Sequence, residues 1–339
     1  MKSINRTLVE TMVRMALADM KRSPERSLRN LVDMGVNFAH GPFQKQLLQT
    51  VQTMLQDNDN PYYALMRDII VHVDTESLVN FGVNLGYNGC CAGAEIIRKT
   101  EAREGFNVPW SVFLDVGACD SDDRKQQYRR IFAQGAELGI YTWQLFSRGK
   151  LAFLLDLAAM CPECAFIVYC TPSEITPALM DRAAAMHHVM LVVEYTKGTK
   201  GICAMLRERA MLYAIYATYA DNDLTALSDG SFFTRVQSLH PAITVLFAQR
   251  ECSAASRRTA YRIVQEQRQR QCYGTLPWDG VHDTCFVDTV ISEDMCSAGF
   301  DENGWLFTGY RPEPHKQYDL FHQPLADIFA RAFPKNKTE

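Results

Sequence analysis

Ser111-Val112-Phe113-Leu114-Asp115-Val116 is a short apolar run that opens after Trp110 and closes at Gly117. A run of this length, bounded by turn residues, reads as a buried strand. Directly behind it, residues 122–138 carry apolar positions at helical spacing, and a second apolar run begins at Ile140. The alternation then repeats. Candidate strands are Ser111–Val116, Ile140–Leu145, Ala165–Cys170, Val189–Tyr195, Tyr213–Tyr219 and Ile243–Phe247. Candidate helices between and after them are Asp122–Leu138, Lys150–Met160, Pro177–Met186, Ile202–Arg209, a poorer one near Phe232–Leu239, and Ala254–Arg270. Strands alternating with helices predict parallel pairing and an α/β fold, as an incomplete barrel or a doubly wound sheet. Periodicity alone does not separate the two.

On the amino side of this block the chain reads as helical. Ile4, Leu8, Val9, Met12, Met15, Ala16 and Met20 share one helical face,. Ser23-Pro24-Glu25 has the form of an N-cap followed by proline at the first helical position,. Further helices are expected over Gln44–Leu55 and Pro61–Val73, and Asp74 caps another helical stretch running to about Arg103. On the carboxyl side the regular alternation stops after Gln271. Asp301-Glu302-Asn303-Gly304, between Phe300 and Trp305, signals a hairpin, and a last helix is expected from Pro324 to Ala332,. The expected organisation is a helical amino-terminal extension over 1–104, a βα domain over 105–271 and a small carboxyl-terminal unit over 272–339.

Composition narrows the function classes. Of 339 residues, 35 are Lys or Arg and 39 Asp or Glu, for a net charge of −4, so no basic field is available to a nucleic acid backbone,. No stretch approaches the uninterrupted apolar length of a membrane span. The amino terminus alternates charged and apolar residues and lacks the apolar centre of a signal peptide,. Eleven cysteines, an odd number without an export signal, are expected to be reduced thiols in a cytoplasmic protein,.

In a parallel βα fold, ligands sit at the carboxyl ends of the strands. The loop after the first strand holds Asp115, Cys119, Asp120, Asp122 and Asp123. Its carboxylates suit a hard cation, or else Asp120, Ser121 and Asp122 cap the next helix; no calcium-loop spacing is present. Cys161-Pro162-Glu163-Cys164 is the sole CxxC pair, at a helix end and a strand start, where buried small side chains are the expected role,. His187-His188 falls at the amino end of a strand and reads as surface or turn. Cys272, Cys285 and Cys296 match no compact metal knuckle and are weak metal candidates,. Neither a Walker loop nor GxGxxG stands at any strand-to-helix turn.

Residues 105–116, with the framework phrases at Phe81-Gly82-Val83-Asn84, 134–141 and Cys164-Ala165-Phe166-Ile167, resemble the barrel entry of radical S-adenosylmethionine enzymes. The subgroup with a SPASM-like carboxyl-terminal extension is the most similar. This resemblance implies a partial (β/α)6 TIM-like barrel, with a 4Fe-4S cluster and S-adenosylmethionine at its strand ends. The family's CxxxCxxC is missing: counting from Cys119, the next two positions are Asp123 and Gln126. Ser147-Arg148-Gly149-Lys150 stands where the family has Gly-Gly-Glu-Pro, keeping one glycine and placing Lys150 for the acidic residue. Asp115, Cys119, Gly149 and Lys150 are thus expected to form a vestigial cofactor site. The function expected from these losses is that of a degenerate member, a pseudoenzyme without radical chemistry. It would serve as a ligand-binding or partner-binding subunit, pairing with an active radical relative or another protein. No cofactor is expected, the cluster and S-adenosylmethionine entering only if the degeneracy reading fails. Two alternatives stay open: altered chemistry on the same barrel using Asp115, Asp120, Asp122, Asp123 and Lys150, or iron-sulfur binding through the late cysteines.

Overall fold

The computed structural model describes residues 4–22, 60–117, 120–309 and 314–335, with isolated positions at 29, 32, 33 and 52. Its strands are β1 (Ser111–Val116), β2 (Thr142–Ser147), β3 (Ala165–Cys170), β4 (Val189–Glu194), β5 (Tyr213–Tyr219), β6 (Ile243–Ala248), β7 (Leu276–Asp279), β8 (Ala298–Phe300), β9 (Trp305–Phe307) and β10 (His315–Asp319). The chain divides into two compact units, one of residues 1–83 and 195–279, the other of 84–194 and 280–339. The expected helices around Ser23–Val32 and Gln44–Leu55 fall largely outside the described residues.

In the first unit β5, β6 and β7 lie parallel, with Ile215 opposite Thr244 and Ile243 opposite Leu276. Helix Ala254–Arg270 starts at Ser253, whose side chain accepts from the Ser256 N–H, and ends on Gln271 in the left-handed conformation. Helix Pro61–His72 is tied to helix Thr199–Glu208 by the bidentate Arg207–Asp68 pair at 2.6 and 2.8 Å.

In the second unit the strand order is β10-β9-β8-β1-β2-β3-β4. β8 and β1 to β4 run parallel to one another, while β9 is antiparallel to β8 and β10 to β9. Buried side chains fill both faces of β1 to β4, as a covered parallel sheet requires,. Helix Leu151–Ala159 buries six of its nine residues. Phe132, Trp143 and Phe166 meet edge to face, their centroids 4.8 and 5.4 Å apart, each fully buried. A buried side chain of that size contributes roughly 1.5–3 kcal/mol.

The α/β expectation holds, with βα units succeeding one another from β1 to the helix after β6. Three differences have physical reasons. β2 begins two residues later than its apolar run, because the Ile140 N–H closes the preceding helix on Gly135 O at 2.8 Å. The alternation does not stop at Gln271: β7 and helix His282–Ser292 follow. β7 is four residues long and contains Pro277, which an edge strand tolerates and which conceals the strand in the sequence,. Finally, residues 83–93 form a π-helix between helices Thr75–Gly82 and Ala94–Glu104. Its Asn84 Nδ2 donates to Pro162 O and Cys164 O, both at 2.8 Å, and its Asn88 Nδ2 donates to Glu163 O at 2.7 Å.

Candidate functional site at the carboxyl ends of the first strands

β1 and the segments that follow β1, β2 and β3 bring charged groups to the same end of the second unit. Asp115, near the end of β1, receives Arg148 from the loop after β2, with Nη2 to Oδ2 at 2.6 Å and Nε to Oδ1 at 3.0 Å. Lys150 Nζ meets Asp120 Oδ2 at 2.8 Å. That contact holds the Asp120 carboxyl below the ordinary range, first by the hydrogen bond and then by the charge. Asp122 and Asp123 lie in the first turn of the helix after β1, whose N-cap is Ser121. There they complement the helix dipole. The five acidic or basic residues singled out in the sequence therefore fall into two ion pairs and one helix start.

Glu174 closes Thr171-Pro172-Ser173-Glu174, a helix start directly after β3. Its Oε2 accepts from Thr171 N at 2.7 Å and Thr171 Oγ1 at 2.9 Å, capping the short turn Pro172–Glu174. Its Oε1 accepts from Gly149 N at 2.8 Å and from the Ser147 hydroxyl. A carboxylate thus does reach the loop where the sequence alone shows Lys150, and Lys150 is itself neutralised by Asp120. Gly149 has a φ of +81°, and a Cβ there would meet nothing within 4 Å, so the loop is open on that side. A second carboxylate arrives from the β8–β9 turn. A Cβ on Gly117 would stand 2.5 Å from Cβ of Glu302, so only glycine lets the end of β1 pass under that residue,.

Cys119 lies outside the described residues. Cys272 is exposed and belongs to the first unit; in the second, Cys285 is half-buried and Cys296 buried. Among the described residues no three His, Cys, Asp or Glu side chains gather as a metal site. The late-cysteine candidates are not brought together. Cys161 and Cys164 are buried as expected. His188, expected at the surface, is buried, with Nε2 2.9 Å from Ala158 O and its pKa lowered chiefly by burial. In the first unit, Asp221 beyond β5 accepts from Ser253 N at 2.9 Å and faces Cys252 Sγ at 3.2 Å. Burial, then Asp221, pushes that thiol up to about 11.

These parts define an α/β chain with a polar site at its strand ends. Among solved structures it is similar in fold to SuiB of Streptococcus suis. The S-adenosylmethionine-bound SuiB aligns at a TM-score of 0.48 and 10% identity, over 72% of this chain and 67% of that one. Another SuiB structure aligns at 0.48 and 11%, over 94% and 77%. Coproporphyrinogen III oxidase (HemN) of Escherichia coli, described as a radical SAM enzyme, aligns at 0.31 and 13%, over 52% and 54%. No family model and no curated protein matches the chain. The expectation that no cofactor is involved is corrected by these neighbours, one bound to S-adenosylmethionine and one a radical SAM enzyme. The site residues do not, however, fit a three-thiolate cluster, since CxxxCxxC occurs nowhere in the sequence,. No helix among the described residues is long and apolar enough to cross a membrane.

Proposed function

We propose that the protein is a ligand-binding subunit on a radical-SAM-like fold, which works with a second protein and does not itself start radical chemistry at a three-cysteine cluster. One observation carries this reading: counting from Cys119, the start of the helix after β1 offers Asp123 and Gln126 where two further thiolates would have to stand. The ligand class follows from the site's charges. Arg148 is largely exposed while it pairs with Asp115, and a surface pair of this kind is worth only about 0–1 kcal/mol,. A small molecule carrying both an ammonium and a carboxylate exchanges with such a pair at little cost. Glu174, beside the open face of Gly149, supplies the negative end. S-adenosylmethionine is a molecule of that class and is the first to test.

Thermal unfolding with increasing S-adenosylmethionine measures this. Ligand at 100 times its dissociation constant stabilises the fold by about 2.7 kcal/mol. Wild type is expected to shift upward, and Arg148→Ala to lose most of that shift. Iron-dependent cleavage of S-adenosylmethionine by anaerobically purified protein would overturn the reading, and so would equal shifts in the two proteins.

A further inference from the structure

Cys161-Pro162-Glu163-Cys164 joins the end of helix Leu151–Ala159 to β3, and the strand-end site does not use it. The Cys164 N–H donates to Cys161 O at 3.1 Å, closing a four-residue turn. Such a turn keeps its outer Cα atoms within about 7 Å, close to the roughly 4.4–6.8 Å that a disulfide spans. The next three carbonyls are all held from the π-helix of residues 83–93. Asn84 Nδ2 donates to Pro162 O and Cys164 O, and Asn88 Nδ2 to Glu163 O. The turn therefore keeps its shape, and within it the Cys164 thiol donates a hydrogen bond to the Cys161 sulfur.

The two thiols differ in access and in acidity. Pro162 and Glu163 are exposed, and beside them Cys161 keeps 8% of its surface in water, Cys164 only 1%. The bond from Cys164 holds the Cys161 thiol below its ordinary value, while the same bond, and then burial, raise Cys164. Next to Cys164, the fully buried Trp143 indole N–H has no hydrogen-bond partner among the described residues and favours the ionised sulfur. A neutral thiol is a weak acceptor, so packing alone leaves that buried donor poorly served; a thiolate satisfies it.

We infer that Cys161 and Cys164 form a redox modification site, a dithiol that hydrogen peroxide converts into a disulfide. Peroxide is barely larger than water, so the small opening at Cys161 suffices. The Cys161 thiolate attacks one peroxide oxygen and the O–O bond breaks. The other oxygen leaves as hydroxide, takes up the thiol's proton and becomes water, and Cys161 is left as a sulfenic acid. Cys164 then ionises beside the Trp143 N–H and attacks the Cys161 sulfur from within the turn, which needs no access from outside. The S–S bond forms, the S–O bond breaks, and the departing hydroxide takes the Cys164 proton to give a second water. Both sulfurs are oxidised and the peroxide is reduced.

Peroxide treatment of the folded full chain, followed by alkylation of the remaining thiols and mass analysis of a chymotryptic digest, tests the inference. Cleavage after Phe166 separates Cys170 from the pair. The peptide with Cys161 and Cys164 is expected to lose a pair of hydrogens, resist alkylation, and regain both reactive thiols with dithiothreitol. In Cys164→Ser, which cannot close the bridge, Cys161 is expected to be trapped by dimedone as the sulfenic acid. In Cys161→Ser, Cys164 is expected to take up roughly tenfold less dimedone. A wild-type pair that stays alkylatable at peroxide doses that oxidise the exposed Cys272 overturns the inference, whether or not either variant folds. So does a bridge that forms only after unfolding, or equal dimedone uptake in the two variants.

Discussion

The two ends of β1 use charge in opposite ways. At its carboxyl end, Asp115–Arg148 and Asp120–Lys150 are surface pairs with partners on neighbouring loops. At its amino end the polar groups are sealed. The Trp110 N–H donates to Asp288 Oδ1 at 3.0 Å and its indole N–H to Thr284 O at 3.2 Å. Val108 N donates to Glu101 Oε1 at 2.9 Å, and the Ser292 hydroxyl to Val108 O at 3.2 Å. Asp288 is fully buried, and Glu101, 1% exposed in its side chain, meets Lys335 at 3.0 Å. Groups in water exchange partners at little cost, whereas groups out of water must keep the partners they have. One end holds pairs that can exchange partners with water. The other holds the strand in place.

The largest effect expected from this contrast is at Trp110, which is buried. Trp110→Ala removes the ring and its donor, and chemical denaturation should register a loss of about 3–5 kcal/mol. Next comes Asp288→Ala, which leaves the Trp110 N–H buried without an acceptor, at about 1–3 kcal/mol. Asp288→Asn retains the acceptor and separates geometry from charge. Burial pushes the Asp288 carboxyl well above its ordinary value, the Trp110 N–H opposing. In the unfolded chain it ionises near pH 4, whereas in the fold it holds its proton to a higher pH,. Its contribution to stability is therefore complete below about pH 4 and declines as pH rises toward the folded value. Unfolding measured across that range should lose this component of the slope in Asp288→Asn. A slope identical to wild type would mean that Asp288 is not the group responsible.

Lys335→Met is expected to cost less, about 0.5–1.5 kcal/mol, because Glu101 keeps the Val108 N–H while losing its cation,. The smallest change is expected at the other end. Arg148→Ala should alter stability by no more than about 1 kcal/mol while weakening S-adenosylmethionine binding. A stability loss as large as that of Asp288→Ala would erase the distinction between the ends.

The sequence is most legible where local chemistry marks an element's limits. Helices Asp122–Leu138 and Ala254–Arg270 keep the bounds their patterns predict, since serine N-caps open them and left-handed residues close them. β1, β3 and β5 also match residue for residue, being compact apolar runs between turns. β8 and β10 are not legible: one is three residues with a central glycine, and the other has no buried residue. Residues 83–93 carry no signal for π-helix. At the site, Asp115 is marked by its place at the end of an apolar run, and Gly149 and Lys150 are marked only through the family resemblance of Ser147-Arg148-Gly149-Lys150. Glu174 and Glu302 are not, because what makes them neighbours is the packing of loops remote in sequence. Thr171-Pro172-Ser173-Glu174 announces a cap, but nothing local says that the same carboxylate also serves Gly149.

The bond from Trp110 to Asp288 joins residues 178 apart. During synthesis β1 emerges long before either that acceptor or β8, its neighbour on one side. Until then one margin of β1 offers unpaired backbone, and Trp110 has no cover from helix His282–Ser292. Closing so long a loop adds only about 0.6 kcal/mol per doubling of its length, but it delays the contact. Assembly of the second unit is therefore a late event on the ribosome. A nascent chain arrested near residue 271 would expose an edge that nascent-chain chaperones or a second copy can engage.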